Sequence, residues 1–297
     1  MKKNICLLLT IVLIAGAFAG CGKSDDKVVI ASKQFTEHIL ISEMYAQLIE
    51  NKTDINLERK FNLGGTLVCF PAMEKGEIDT FFEYSGTAYS EILKMDEISG
   101  VSAEEIYQRV VDGMAEQFDI TMFGSVGFNN TYTLAMKPDK AAELGIVTMS
   151  DLANVDGLRF GCGHTFYDRS YDGYTTMLEV YGMEFGDVRR MDSALLYEAI
   201  DQGQLDVMVA FSTDGLLKKY NLMLLEDDLE MFPPYQGAPI IRNSTLEKYP
   251  ELGEVLNLLN GRISNERMQG LNFEIDINNK TPEEVAHVFL TSEGLLD

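Results

Sequence analysis

Short apolar strands alternate with helical segments from residue 28 onward, and this alternation is what most restricts the possible folds. Val28 to Ala31 has the pattern of a buried strand. The segment that begins at Thr36 has apolar residues spaced to share one helical face, namely Ile41, Met44, Tyr45, Leu48 and Ile49. Ile78 to Phe82 and Leu205 to Ala210 are further predicted strands. Strands that alternate with helices predict βαβ units and therefore an α/β fold.

Helix boundaries are predicted from local capping signals. The turn Gly64-Gly65-Thr66 is expected to open one helix, and Gly76 to close it. Three further helix starts are predicted from a Ser or Thr followed three residues later by Glu, which are Ser102 with Glu105, Ser244 with Glu247 and Thr281 with Glu284.

The length of the chain favours two lobes, because 297 residues exceed what one compact core usually covers. Two segments have the composition of connections between lobes, residues 123–130 and 232–237. A double connection predicts one lobe from residues 28–128 and 236–297 and a second from residues 129–235. Two doubly wound lobes with a cleft between them form a hinge-closing architecture, and ligands bind where the strands end.

The first residues have the pattern of an export signal. Lys2 and Lys3 precede an uncharged apolar run from Ile5 to Phe18, which ends in Ala19-Gly20-Cys21. The run is shorter than the roughly 20 apolar residues of a comfortable membrane span. We therefore expect residues 1–20 to be a lipoprotein signal peptide, Cys21 to carry lipid, and residues 21–27 to be a tether. The expected location is outside the cytoplasm, on the outer face of the cell membrane.

Charge and cysteine content exclude some classes of partner. The chain has 24 Lys and Arg against 47 Asp and Glu, so the basic surface of a nucleic-acid-binding protein is absent. Beyond Cys21, only Cys69 and Cys162 remain in the expected mature chain. Both are expected to be buried free thiols, and a bridge between them is left open.

Motifs of catalysis and metal binding are not found in the sequence. It contains no phosphate loop, no GxSxG and no HExxH, and its three histidines are scattered. We therefore expect no enzymatic activity, no cofactor and no metal site.

Aromatic residues lie at the ends of strands and at the two predicted connections. Tyr84 comes directly before a glycine turn, Phe211 ends a strand, and Tyr132 and Tyr235 follow or lie within the connections. Four rings could thus face one cleft, although for any one ring taken alone the position of an ordinary core residue is favoured.

At these residues the chain resembles the glycine betaine/carnitine/choline-binding lipoproteins of osmoprotectant ABC transporters. The similarity runs in order from about residue 28 to the end and rests on several motifs, which are Ala-Ser-Lys33-Gln-Phe-Thr-Glu37, Leu63-Gly-Gly-Thr66, Gly76-Glu-Ile-Asp79, Glu83-Tyr84-Ser-Gly-Thr87, Ser212-Thr-Asp214, Leu225-Glu-Asp-Asp228 and Phe232-Pro-Pro-Tyr235. The resemblance implies a two-lobed periplasmic-binding-protein-like fold of type II, and a protein that delivers its ligand to an ABC permease.

The resemblance also implies an aromatic box with basic residues beside it. By position, the box would consist of Tyr84, Tyr132, Phe211 and Tyr235, with Asn130 as a further lining residue. A ligand carboxylate would be received by three residues, Lys33, Thr87 and Arg169. Relatives commonly have tyrosine at the position of Phe211, and the stretch around Arg169 departs from their pattern by what reads as an extra residue.

A box of Phe and Tyr rings suits a quaternary ammonium group, which has no N–H to donate but is attracted to the negative ring faces. The chain has no tryptophan, so Phe and Tyr would have to supply every ring. Three alternatives stay open at this point: a binding protein for another small cation or amino acid, an α/β enzyme and a sensor. A surface pair of Arg169 with Asp168 or Asp172 is the alternative to its carboxylate role.

Overall fold

The computed structural model describes residues 27–95, 101–169 and 172–296, and the predicted signal peptide and Cys21 lie outside these ranges. The strands in chain order are β1 Val28–Ala31, β2 Leu57–Lys60, β3 Thr80–Tyr84, β4 Ile120–Met122, β5 Tyr132–Met136, β6 Arg159–Cys162, β7 Asp187–Arg190, β8 Val207–Phe211, β9 Met223–Leu224 and β10 Gly237–Arg242.

These strands form two five-stranded sheets of the same design. The first has the order β2-β1-β3-β10-β4 and the second β7-β6-β8-β5-β9. In the first, β1 is parallel to β2 and β3, while β10 runs antiparallel between β3 and β4. In the second, β6 is parallel to β7 and β8, while β5 runs antiparallel between β8 and β9. The predicted α/β fold is confirmed.

Helices cover both faces of each sheet. Their bounds are Thr36–Lys52, Thr66–Glu74, Ser85–Thr87, Ala103–Phe118, Pro138–Leu144, His164–Asp168, Tyr174–Tyr181, Ser193–Asp201, Gly215–Lys219, Asn243–Lys248, Leu252–Leu256, Asn265–Asp276 and Pro282–Ser292. A π-helical turn spans Ala88–Ile92 and a 3₁₀ turn spans Ser150–Asn154. None of the helices in the described ranges combines the length and the hydropathy needed to cross a bilayer.

Alternation along the strands separates the cores above and below each sheet. Val28 and Ile30 of β1 face a core that includes the helix Thr36–Lys52 and the C-terminal helices. Val29 and Ala31 face the opposite core, with the helix Ala103–Phe118. Because successive side chains of a strand point to opposite faces, one strand contributes to both cores. β1 is therefore apolar on both faces, as expected for a strand in a covered parallel sheet.

The predicted helix starts were right in two cases of three. Ser102 and Thr281 each accept a hydrogen bond from the backbone N–H of the third helical residue, and Thr281 forms a complete capping box with Glu284. The prediction for Ser244 was wrong, because that helix begins at Asn243 and Arg242 is its N-cap. The turn before Thr66 opens its helix as predicted.

Two strand predictions need correction at their ends. β3 spans Thr80–Tyr84 rather than 78–82, and β8 spans Val207–Phe211 rather than 205–210. Just before β3, the Asp79 N–H donates to the Val29 carbonyl at 2.8 Å, and the Asp79 carboxylate accepts the Val29 N–H at 2.7 Å. Cys69 and Cys162 are buried free thiols, as expected.

The two connections between the sheets lie side by side. Residues Asn129 and Gln236 form an isolated antiparallel bridge. The Asn130 N–H donates to the Tyr235 carbonyl at 3.0 Å, and the Tyr235 N–H donates to Asn129 Oδ1 at 2.5 Å. In the sequence, strands β1 to β4 of the first sheet come before the strands of the second sheet, and β10 comes after them. The division into lobes at residues 128/129 and 235/236 stays a prediction.

Candidate ligand-binding site

Tyr84 ends β3, and its hydroxyl lies in a buried hydrogen-bond network centred on Glu37. The hydroxyl donates to Glu37 Oε1, which also accepts from Asn130 Nδ2 at 2.9 Å. Glu37 Oε2 accepts from Asn272 Nδ2 at 3.2 Å. Burial raises the pKa of Tyr84 well above 10, and the Glu37 charge adds to that rise. The phenol therefore keeps its proton and donates it, which fixes the orientation of the ring.

Lys33 follows β1, and its ammonium lies near the Tyr84 ring. Its side chain is only 3% exposed and its ammonium pairs with the Glu83 carboxylate. The second Glu83 oxygen accepts from the Thr66 hydroxyl at 2.8 Å. The ammonium lies 5.4 Å from the centre of the Tyr84 ring. Lys33 is thus beside the predicted box, but its charge is already compensated by Glu83.

Tyr132 and Phe211 are brought together by the pairing of β5 with β8. They are directly opposite in the antiparallel register. Their rings stack with centroids 4.6 Å apart and an interplanar angle of 28°. Phe166 and Phe232 pack behind Tyr132, at centroid distances of 5.2 Å and 6.2 Å. Phe211 is 41% exposed, so this pair presents an accessible aromatic surface.

Arg169 follows the helix His164–Asp168 and lies against Tyr132. Its guanidinium carbon is 5.3 Å from the Tyr132 ring centre. Its Nε and Nη2 donate to the two Asp172 oxygens at 2.6 Å and 2.8 Å. The pair with Asp172, which the sequence left as an alternative, is therefore present, and it is formed at the edge of the box.

Tyr235 connects the two halves of the box. Its ring centroid is 6.5 Å from that of Tyr84, with the rings nearly perpendicular. Burial raises the pKa of Tyr235 to about 12, with Asp172 adding to the rise and Arg169 opposing it. The four predicted rings and Arg169 thus form a series of neighbours, in the order Tyr84, Tyr235, Arg169, Tyr132 and Phe211.

Asn130 lies close to the Tyr84 hydroxyl, and Thr87 follows Tyr84 in the chain. Asn130 Nδ2 lies 3.2 Å from the Tyr84 hydroxyl. Thr87 closes the short helix that follows Tyr84 and is partly exposed. Gly86 beside it allows close packing, because a Cβ there would lie 2.7 Å from the Pro234 carbonyl oxygen and 3.0 Å from the Tyr235 ring.

Glu37, Asn272 and His38 were not among the residues predicted for the site. Glu37 ends the motif Ala-Ser-Lys33-Gln-Phe-Thr-Glu37, so the resemblance contained a signal for it. Asn272 comes from the helix Asn265–Asp276 and had no such signal. His38 is fully buried, and its ring centroid lies 4.9 Å from that of Tyr84.

The charges around the rings favour a cationic group. Both predicted cations, Lys33 and Arg169, have a carboxylate partner of their own. Glu37 instead accepts from neutral donors. The negative faces of the rings attract a positive group, and the paired charges of Lys33 and Arg169 oppose this attraction less than free cations would. Within the described ranges, no cluster of three or more His, Cys, Asp or Glu side chains is placed to hold a metal ion.

Comparison with known proteins gives relatives that match nearly the whole chain. The carnitine transport binding protein OpuCC of Listeria monocytogenes is 35% identical over 307 aligned positions, covering 100% of this chain and 99% of the relative. An ergothioneine transport permease/ergothioneine binding protein, EgtU of Helicobacter pylori, is 34% identical over 91% of this chain, which matches only 48% of that longer protein.

A solved structure confirms the predicted fold. A crystal structure described as a glycine betaine/carnitine/choline ABC transporter superposes with a TM-score of 0.87 at 34% identity, covering 91% of this chain and 100% of the other. The family model described as the substrate binding domain of ABC-type glycine betaine transport systems matches residues 26–292. The two-lobed fold, the arrangement of aromatic residues and these matches agree, and the chain belongs to the family of substrate-binding domains of ABC-type glycine betaine transport systems.

Proposed function

We propose that this protein captures a quaternary-ammonium osmolyte, glycine betaine or a relative such as choline or carnitine, and delivers it to an ABC permease. The trimethylammonium group binds among Tyr84, Tyr132, Phe211 and Tyr235. Lys33, Thr87 and Arg169 receive the carboxylate of ligands that have one, and Asn130 lines the site. No chemical step is part of this function.

The observation that carries the proposal is the placement of aromatic rings on both sheets around compensated charges. Tyr84 comes from the first sheet, whereas Tyr132 and Phe211 come from the second. A trimethylammonium group gains from each well-placed ring roughly 0.5–2 kcal/mol, because the ring faces are negative and replace water around the methyls. An anionic solute is repelled by the same negative ring faces.

The proposal includes a place of action. Lys2, Lys3 and the apolar run before Cys21 support export and lipid attachment at that cysteine. The protein would then work outside the cytoplasm, held on the outer face of the membrane while its lobes reach the permease. Mass spectrometry of the membrane-extracted protein tests this, with Cys21→Ala as the variant expected to lose the lipid.

Ligand binding is tested by calorimetric titration with glycine betaine, carnitine, choline and ergothioneine. Wild type is expected to bind at least one of these trimethylammonium compounds. Tyr132→Ala is expected to weaken that binding by about 1–2 kcal/mol, since it removes one ring of the stacked pair.

Phe118→Leu is the matched control for the loss of a ring. Phe118 packs on Phe70 with ring centroids 5.0 Å apart. It comes just before β4 and therefore lies at the end of the first sheet opposite to the end where Tyr84 lies. It should leave ligand affinity unchanged. If the wild type bound none of the four compounds, or if Tyr132→Ala bound the best one as tightly as the wild type, the proposed function would be wrong.

A further inference from the structure

Glu37 is a buried carboxylate that acts on a ring of the proposed site. It lies in the first turn of the helix Thr36–Lys52, and its side chain is 5% exposed. Its carboxylate accepts hydrogen bonds from the Tyr84 hydroxyl and from the amides of Asn130 and Asn272. All three are neutral. Burial raises the pKa of Glu37, and the hydrogen bonds from the Tyr84 hydroxyl and the two amides oppose that rise. These donors bring no positive charge to Glu37, in contrast to Glu83, which has Lys33 as its partner.

The contact with Tyr84 has an electronic consequence. A phenol that donates to a carboxylate forms a charge-assisted hydrogen bond, which is stronger than one between neutral groups. Such a bond draws the proton away from the phenol oxygen and raises the electron density of the ring. The attraction between an aromatic ring and a cation depends on the negative charge of the ring face.

The amide donors hold the carboxylate against this ring from two other parts of the chain. Asn130 lies in the first connection between the sheets. Asn272 lies in the C-terminal part, and its Nδ2 also lies 2.9 Å from the Thr213 carbonyl oxygen, next to the second sheet. Glu37 is thus fixed at the point where the first sheet, the connection and the residues after β8 meet.

We propose that Glu37 is a positioning residue for cation recognition, which orients the Tyr84 ring through its hydroxyl and makes the ring face more negative. This inference rests on the proposed function, because it assigns a role toward the same trimethylammonium group. Glu37 itself does not touch the ligand in this role.

The test is a double-mutant cycle on glycine betaine affinity with Glu37→Gln, Tyr84→Phe and the combined variant. Glu37→Gln is expected to weaken binding about tenfold, because the amide is a neutral and weaker acceptor for the phenol. Tyr84→Phe is expected to weaken binding to a similar extent. In the Tyr84→Phe background, Glu37→Gln should change affinity less than twofold, since the hydroxyl through which it acts is gone.

Glu43→Gln is the matched control. Glu43 is on the same helix, is 6% exposed, and accepts from Arg59 Nε at 2.9 Å. It should leave affinity unchanged. Thermal melting of each variant verifies that the fold is retained.

The outcomes separate this inference from the proposed function. If the wild type binds glycine betaine but Glu37→Gln binds it equally well, the role of Glu37 is wrong and the proposed function stands. If Glu37→Gln weakens binding equally with and without the Tyr84 hydroxyl, Glu37 does not act through that hydroxyl, and the inference is overturned. If the wild type binds none of the four trimethylammonium compounds, both fail.

Discussion

Arg169 combines two contacts that make its function testable at the level of one side chain. Its guanidinium donates two hydrogen bonds to the Asp172 carboxylate, and it lies over the Tyr132 ring. If it receives a ligand carboxylate, Arg169→Ala should weaken glycine betaine binding by about 1.5–3 kcal/mol, the range for hydrogen bonds to charged groups. Choline, which has a hydroxyl in place of the carboxylate, should lose much less.

Titration of wild type and Arg169→Ala with both ligands measures this difference. Equal losses for betaine and choline would contradict a carboxylate role and would leave Arg169 as a support for Asp172 and Tyr132. Arg189→Ala is a suitable control, because Arg189 forms a surface ion pair with Asp187 on β7.

His38 predicts a dependence of stability on pH. Burial, and then the charge of Lys33, hold its pKa well below 6.5 in the folded protein. In the unfolded chain the imidazole takes up a proton near pH 6.5, but in the folded protein it does not. The stability contributed by this group is therefore fully present above pH 6.5 and decreases as the pH falls through that value.

Urea denaturation at pH 7.5 and 5.5 measures the effect. Between these values the wild type should lose about 1.4 kcal/mol more of its free energy of unfolding than His38→Leu, which has no imidazole to protonate. His287→Leu, at an exposed position on the helix Pro282–Ser292, should retain the pH dependence of the wild type. A wild-type profile identical to that of His38→Leu would contradict the prediction.

The residues of the candidate site could be predicted only where a local sequence pattern or motif contains them. Tyr84, Tyr132, Phe211 and Tyr235 were identified because each lies at a strand end or a connection. The partners that orient or compensate them were not identified, because their contacts are distant in the sequence. Glu37 meets Tyr84 across 47 residues, and Lys33 meets Glu83 across 50. Hydrogen bonds of this kind are set by the sheet order, which no local pattern records.

Among the secondary-structure elements, the C-terminal helix gives a direct test of capping. Thr281 forms both halves of a capping box with Glu284, at 3.2 Å and 3.0 Å. Thr281→Ala should therefore lower the free energy of unfolding by about 1 kcal/mol. Ser244→Ala is the matched control, since Ser244 has the same Ser-x-x-Glu spacing but lies inside its helix.

Chemical denaturation of both variants measures the change in their free energies of unfolding. Ser244→Ala should change the free energy of unfolding by less than about 0.5 kcal/mol, as for most surface substitutions. Equal destabilisation by the two changes would contradict the assignment of the caps.

Element boundaries show why spacing alone was insufficient. Ser244 and Thr281 are followed by Glu at the same distance, but Arg242 ends β10 and the next helix begins immediately after it. The position of a cap is thus decided by where the preceding strand ends. Hydrophobic patterning did locate the helix Thr36–Lys52 correctly, because five apolar residues on one face can be buried together only as a helix.

At the scale of the whole molecule, the division of the box between two sheets predicts a change of shape. Lys33 and Tyr84 are placed by the first sheet, while Tyr132, Phe211 and Arg169 are placed by the second. A ligand that contacts both groups shifts the population toward the conformation in which they are closest. Saturating ligand should therefore reduce the radius of gyration.

Small-angle X-ray scattering with and without ligand tests this expectation. Tyr132→Ala should need a roughly tenfold higher ligand concentration than the wild type to reach the same reduced radius. An unchanged radius for the wild type at saturation would contradict a ligand site shared between the two sheets.

The position of β10 also determines the order in which the molecule can be assembled. This strand lies between β3 and β4, so the first sheet remains split until residues 237–242 are available. The second sheet consists of one uninterrupted stretch from β5 to β9 and needs nothing that follows it. During synthesis, the second sheet can thus form before the first sheet is complete. The first sheet, which begins with the N-terminal strand β1, therefore stays incomplete until residues 237–242 have been synthesised.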